Sequence, residues 1–166
     1  MTHLTREQVL LIIEAARVKG ETLELRRANL SRVDLSGENL RQANLSEADL
    51  GAAVFTGADL FRAELGSVNF RGAVLIGANL GRANLTQANL KQANLCQANL
   101  SNADLSGADL SNADLSAADL REANLKQANL NQANLNEVRL RAARYDKGTI
   151  WPDNFNPTRM GAIRED

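Results

Sequence analysis

The sequence predicts an all-β solenoid, and three features of the stretch from Leu25 to Leu140 lead to that prediction. Every fifth residue is Leu or Phe, which gives 24 consecutive five-residue units. Each unit begins with a residue that is usually Ala, followed by one that is usually Asn or Asp and then by the Leu or Phe. The fourth and fifth residues are mostly polar or Gly.

A period of five fits neither regular secondary structure. On an α-helix, five residues advance by about 140°, so the leucines would spiral around the whole surface. On a straight strand, an odd spacing sends successive leucines to opposite faces. The leucines share one interior only if the chain turns a corner in every unit. Asn, Asp, Gly and Ser favour such corners, because they accept unusual backbone angles and bond locally to the backbone.

The periodicity alone leaves the number of sides open. Three sides would give a coil of 15 residues and four sides a coil of 20. Two sets of outward residues recur at intervals of twenty and favour four sides: Gly37, Gly57 and Gly77, and Val54 and Val74.

Segments such as A-N-L-T-Q, A-D-L-S-G and A-N-L-K-Q resemble the repeat of the pentapeptide-repeat proteins. The resemblance covers about 120 of the 166 residues. It implies a right-handed quadrilateral parallel β-helix in which the Leu or Phe and the Ala point inward. With four units per coil, we expect about six coils and a rod about 29 Å long.

Both ends are predicted to cap this rod. Thr5 and Gln8 match a capping box and Gly20 a helix stop, which predicts an α-helical cap with a helix from Arg6 to Lys19. Pro152 and Pro157 oppose a long helix near the other end, so we expect a loop-rich C-terminal cap there. The predicted parts are residues 1–22 (helical cap), 23–145 (β-helix) and 146–166 (C-terminal cap). The C-terminal cap would gather the apolar residues Tyr145, Ile150, Trp151, Phe155, Met160 and Ile163.

Glu38 occupies an inward position that Ala usually takes. We expect a defect in an end coil whose carboxylate reaches water or a cap residue such as Arg17. A strained buried acid and a local shift of register are the alternatives.

Charge and composition exclude several classes of protein. Nineteen Lys and Arg against 20 Asp and Glu leave a net charge of -1, which argues against a generally basic nucleic-acid binder or a polybasic membrane binder. The single cysteine excludes an intramolecular disulfide framework. The apolar run from Val9 to Ile13 is too short to cross a membrane and lacks the pattern of a signal peptide. We therefore expect a soluble, cytoplasmic protein.

The sequence offers no catalytic, cofactor-binding or metal-binding constellation. His3 is the only histidine and is expected to lie in a frayed terminus, and Cys96 points outward as an inert thiol. Asp104, Asp109, Asp114 and Asp119 would lie on four different sides, where they cannot converge on one metal ion. We predict neither an enzyme nor a binder of a small-molecule substrate.

Outward apolar residues mark a candidate interaction surface. Val54 and Val74 would stack on adjacent coils about 4.8 Å apart, with Ile76 and Phe61 nearby and Arg62 and Arg82 at the rim. An exposed apolar patch with a charged rim suits a protein partner. Tolerated surface variation that merely stabilises the strands is the alternative.

The predicted function is a non-enzymatic, rigid protein-interaction module, monomeric or weakly dimeric, with a protein as partner. The resemblance adds an alternative, because some members of the family mimic DNA and bind DNA gyrase or topoisomerase IV. A DNA rod about 29 Å long carries about 17 negative charges, whereas the residues from Leu23 to Ala142 hold 13 acids and 12 bases. Direct DNA binding through the side richest in Arg is a third possibility.

Overall fold

A computed structural model describes residues 3–166, and its regular elements are few and short. They are helix α1 (Arg6–Lys19), strand β1 (Arg144–Tyr145), a 3-10 helix (Pro157–Met160) and strand β2 (Ile163–Arg164). Between α1 and β1 the chain forms single-residue parallel bridges, nearly all between residues twenty positions apart. One coil therefore contains four units, as the twenty-residue intervals in the sequence favoured.

The bridges form four ladders, one along each side of the solenoid. We name them by their first residue in the repeat: ladder A from Glu24, ladder B from Asn29, ladder C from Asp34 and ladder D from Asn39. The chain passes through the ladders in the order A, B, C, D and turns a corner between each pair. Residues five apart in sequence thus lie on neighbouring sides, and residues twenty apart lie in contact.

The core is the column of inward residues that the periodicity predicted. Leu85 and Leu110 are fully buried, and the first residues of the units, such as Ala98, are buried with them. The two inward phenylalanines, Phe55 and Phe70, meet edge to face with their ring centroids 5.5 Å apart. Fully burying a Leu side chain contributes roughly 1.5–3 kcal/mol before chain entropy is subtracted, so the stacked leucines are the main source of stability.

A typical unit satisfies all of its backbone N–H groups, as residues 43–47 illustrate. The amide of Ala43 closes a corner, that of Asn44 bonds to the preceding coil, and those of Leu45 and Glu47 bond to the following coil. The remaining amide, that of Ser46, donates to the side-chain oxygen of Asn44 at 3.2 Å. Asn or Asp recurs before most of the inward Leu residues because a short side-chain acceptor reaches the amide of the fourth residue.

The fifth residue of each unit adopts the left-handed backbone conformation that the corner requires. Gln92 has a φ of 59° and Gly72 a φ of 65°, and nearly every other unit repeats these angles. Left-handed geometry disfavours β-branched residues, none of which occurs at this position, where Gln, Gly and Arg are the commonest residues.

The N-terminal helix has the predicted bounds. Thr5 and Gln8 form the reciprocal capping box, and Gly20 ends the helix with a φ of 66°. Val9 and Ile13 are buried against the first coils. The expectation of a frayed terminus at His3 is wrong, because His3 pairs with Asn29 and so adds a rung to ladder B.

Glu38 reaches the helix, although through a different residue from the one expected. Its carboxylate lies 3.6 Å from the guanidinium of Arg6, and 24% of its side chain is exposed. Arg17 instead pairs with Glu14 within the helix, at 3.1 Å. The first turn of α1, rather than its last, lies beside the inward position of Glu38, so the suggested contact with Arg17 is wrong.

Two ladders continue beyond the last regular leucine. On ladder B, Asn129 bridges to Ile150, and on ladder A, Arg144 of β1 pairs in parallel with Ile163 of β2. Tyr145 meets Trp151 edge to face, and Trp151 stacks on Phe155, with centroid distances of 5.5 and 5.4 Å. Among residues 3–166 there is no helix of the length and apolar character needed to cross a membrane.

Candidate interaction surface

The side chains along each ladder form chains of hydrogen bonds between coils. On ladder D, the amide nitrogen of Asn79 donates to Asp59 at 2.9 Å, and Asn99 donates to Asn79 at 2.9 Å. An Asn can accept from its own corner and donate to the preceding coil, whereas an ionised acid can only accept. No two acids are neighbours on any ladder, since the residue twenty positions after each ladder acid is Asn, Val or Arg.

The acidic coil is distributed as predicted, with one aspartate on each of the four ladders. Asp109 pairs with Lys91 at 3.3 Å. A hydrogen bond from Arg121 is the main reason that the pKa of Asp119 lies below its usual range. Within the described residues, no cluster of three or more His, Cys, Asp or Glu side chains could hold a metal ion.

The two potential nucleophiles or bases that the sequence singled out, His3 and Cys96, lie far apart in the repeat. The ring nitrogen Nε2 of His3 lies 2.7 Å from the carbonyl oxygen of Ser31. Cys96 is half-buried at a corner, where its backbone amide donates to Asn94 at 3.1 Å. His3 contacts Ser31 at the corner that follows ladder B, whereas Cys96 lies at the corner that follows ladder C. The two residues therefore belong to different corners of the solenoid.

Val54 and Val74, two residues of the candidate surface, meet as bridge partners on ladder C. Ile76 follows at the corner between ladders C and D. All three side chains are half-buried, because the neighbouring coils cover part of each one. The prediction that the valines stack on adjacent coils is confirmed, but the apolar surface is less exposed than the sequence suggested.

Phe61 lies at the next corner, between ladders D and A, beneath two arginines. The guanidinium of Arg41 lies 4.5 Å from the ring centroid and that of Arg62 lies 5.4 Å from it. Arg41 is also held by Asp59 at 3.0 Å. A Cβ atom on Gly81 would come within 3.2 Å of the ring, so glycine lets the ring lie close to the following coil.

The candidate surface is therefore two groups rather than one patch. The rung formed by Asp59 and Asn79 on ladder D separates Ile76 from Phe61. Ile76 follows Val74 at the adjacent corner, whereas Phe61 lies one side of the solenoid further on, because each five-residue step turns the chain onto another side. Arg62 and Arg82 lie one coil apart at the corner of Phe61, and both are exposed.

Sequence reasoning missed Arg41, which lies closer to the ring of Phe61 than Arg62 does. The signal was available, since Arg41 precedes Phe61 by one coil of twenty residues. We name the group of Arg41, Phe61, Arg62 and Arg82 the arginine–phenylalanine corner. Aromatic and Arg side chains are the types that dominate binding energy in protein interfaces.

Comparison with protein families identifies the repeat. The family model for pentapeptide repeats matches in 8 copies, over residues 24–60, 53–92, 63–102, 78–116 and 118–144. A search of curated proteins returned no match.

Solved structures resemble this one along most of its length. HetL, a pentapeptide repeat protein involved in heterocyst differentiation regulation from the cyanobacterium Nostoc sp. strain PCC 7120, is 30% identical. That match covers 87% of this chain and 79% of HetL, with a TM-score of 0.52. A second Nostoc PCC 7120 pentapeptide repeat protein, alr5209, is 29% identical over 99% of this chain and 100% of its own, with a TM-score of 0.44. A third, Rfr23 from the cyanobacterium Cyanothece 51142, is 27% identical over 86% and 98% of the two chains, with a TM-score of 0.41.

Proposed function

Because the chain belongs to the pentapeptide-repeat family and has its right-handed quadrilateral β-helix, we propose that it is a non-enzymatic, rigid protein-interaction module. The proposal places about six coils in residues 23–145 and assigns the flanking segments, 1–22 and 146–166, to capping. It also places the protein in the cytoplasm as a monomer or weak dimer. The observation that supports it best is the arginine–phenylalanine corner.

The corner has properties that favour recognition of a protein. The Phe61 ring is held between two guanidinium groups and the following coil, so little side-chain entropy remains to be lost when a partner binds. Arg62 and Arg82 are exposed beside it and can pair with acidic groups of a partner. The groups are carried by consecutive coils, whose spacing the backbone bridges maintain.

Affinity capture with a matched pair of variants tests this proposal. Phe61→Ser removes the ring. Thr86→Ala is the control: it changes the fourth residue of another five-residue unit, at the corner between ladders A and B. We expect wild type and Thr86→Ala to retain the same protein from a lysate of the source organism, and Phe61→Ser to lose it. Equal retention by all three proteins would refute a binding role for the corner.

DNA mimicry with gyrase or topoisomerase as partner remains the alternative function. Its weakness is charge, because basic side chains neutralise much of the acidic surface. Glu47 pairs with both Arg26 and Arg27, and Asp119 lies within 4 Å of Arg121 and Arg139. Altered supercoiling by gyrase at micromolar protein would favour the alternative, and unchanged supercoiling would remove it. Steeply salt-dependent retention of DNA would instead favour direct DNA binding.

A further inference from the structure

Ladder C breaks the hydrogen-bonding rule of the repeat in two successive coils. Where most other units place Asn or Asp, these two have Val54 and Val74, which carry no side-chain acceptor. In the part of the chain that the structure describes, no protein group therefore accepts a hydrogen bond from the backbone amides of Thr56 and Ile76. Ladder A also interrupts the rule, at Glu24 and Glu64, but there Asn44 restores it in the coil between them.

The coils on either side show where these two amides would find an acceptor. In the preceding coil the amide of Ser36 donates to Asp34 Oδ1 at 2.9 Å, and in the following coil the amide of Cys96 donates to Asn94 Oδ1 at 3.1 Å. The amides of Thr56 and Ile76 occupy the equivalent positions in the two coils between. They form a pair of donors about 4.8 Å apart.

The corners directly after the pair have room for another molecule. The residues that follow it, Gly57 and Gly77, have left-handed φ values of 65° and 63°, and a Cβ atom on either would meet no atom within 4 Å. Thr56 is exposed and Ile76 half-buried. A ligand can therefore approach the backbone closely at Gly57 and Gly77, the residues next to the pair, on two consecutive coils.

We propose that the paired amides of Thr56 and Ile76 bind a carboxylate side chain of a protein partner. One carboxylate has two oxygens and can bridge donors about 4.8 Å apart with ordinary N–H···O distances of about 2.9 Å. It replaces, from outside, the acceptors that Val54 and Val74 do not supply. The valine side chains contact the methylene groups of the incoming Asp or Glu. This inference rests on the proposed role in protein recognition and names the chemistry of the partner.

The acid one coil before the pair is already engaged by the protein. Asp34, one coil before, already accepts from the amide and hydroxyl of Ser36, and Arg6 of the helix donates to the backbone oxygen of Asp34 at 2.9 Å. Asn94, one coil after, is neutral. A hydrogen bond to an ionised acceptor is about twice as strong as a neutral one, so a carboxylate is favoured over an amide or a backbone carbonyl.

An NMR titration of the full-length protein tests the site directly. The probe is N-acetyl-aspartate N-methylamide, with the Asn analogue as the neutral comparison. We expect saturable downfield shifts of the Thr56 and Ile76 amide protons at millimolar probe, well beyond those of Ser36 and Cys96, whose amides are already bonded. The Asn analogue should shift them several-fold less.

Two double variants separate the amides from the side chains. Val54→Asn with Val74→Asn restores the acceptors of the repeat, keeps the fold and should abolish the response. Val54→Ala with Val74→Ala leaves the amides free and should preserve it. Any one of three results would overturn the site. These are equal shifts at all four corner amides, an equal response to the Asn analogue, and a loss of response in the alanine variant. A saturating titration with no captured protein would refute the recognition role alone, and capture without a titration response would refute the site alone.

Discussion

Replacing Asn79 by Asp tests whether the side-chain ladders stabilise the solenoid. The amide nitrogen of Asn79 donates to Asp59 at 2.9 Å, while its oxygen accepts from Asn99 at 2.9 Å and from the amide of Gly81 at 3.2 Å. Asp has nearly the same shape and keeps both acceptor contacts. The substitution thus removes one donor and places a second carboxylate against Asp59.

The structure allows the size of the effect to be worked out. Loss of a hydrogen bond to a charged group costs about 1.5–3 kcal/mol. Repulsion between the two half-exposed carboxylates adds about 1–4 kcal/mol, depending on how far water screens them. The bond from Asn99 becomes charge-assisted and returns about 1 kcal/mol. We expect the free energy of unfolding at neutral pH to decrease by about 1.5–6 kcal/mol.

Urea unfolding followed by far-UV circular dichroism measures this loss at neutral pH and again at about pH 3, below the ordinary pKa of Asp. Protonation of the introduced carboxylate at the lower pH restores a donor and removes the repulsion, so the loss should shrink. The matched control is Asn112→Asp, at an exposed corner whose φ is 59°. A loss no greater than that of the control, or one that is the same at both pH values, would refute the ladder argument.

Three further substitutions test other parts of the structure by denaturation. Leu85→Ala, at a fully buried position, should cost about 3–5 kcal/mol, and a cost below 1 kcal/mol would contradict the packed core. A hydrogen bond from Arg27 is the main cause that lowers the pKa of Glu47 from 4.5 to about 2. Folding therefore favours ionised Glu47. The extra stability of the wild type over Glu47→Gln should be complete above about pH 5 and should vanish as the pH falls to about 2. A stability difference that is absent at every pH would show that the contact between Glu47 and Arg27 contributes nothing. Glu38→Ala removes only a partly exposed contact with Arg6 and should change stability by less than about 1 kcal/mol; a larger loss would show that the carboxylate is structural.

The core and the helix could be predicted from the sequence because each depends on local pattern. Leucine at every fifth residue has one shared interior only in a coil with regular corners, and Leu85 and Leu110 lie there. The bounds of α1 follow from its own capping residues, Thr5 and Gly20. Such signals act within one unit or one helical turn, so no knowledge of distant residues is needed.

Contacts between coils were decided by the tertiary structure. Arg41 contacts Phe61, Glu38 contacts Arg6 rather than Arg17, and Ile76 is separated from Phe61 by a whole side of the solenoid. The sequence by itself determined that the chain coils and which residues point inward. Which outward residues meet depends on the quarter-turn taken in each unit, which separates neighbours in sequence and stacks residues twenty positions apart.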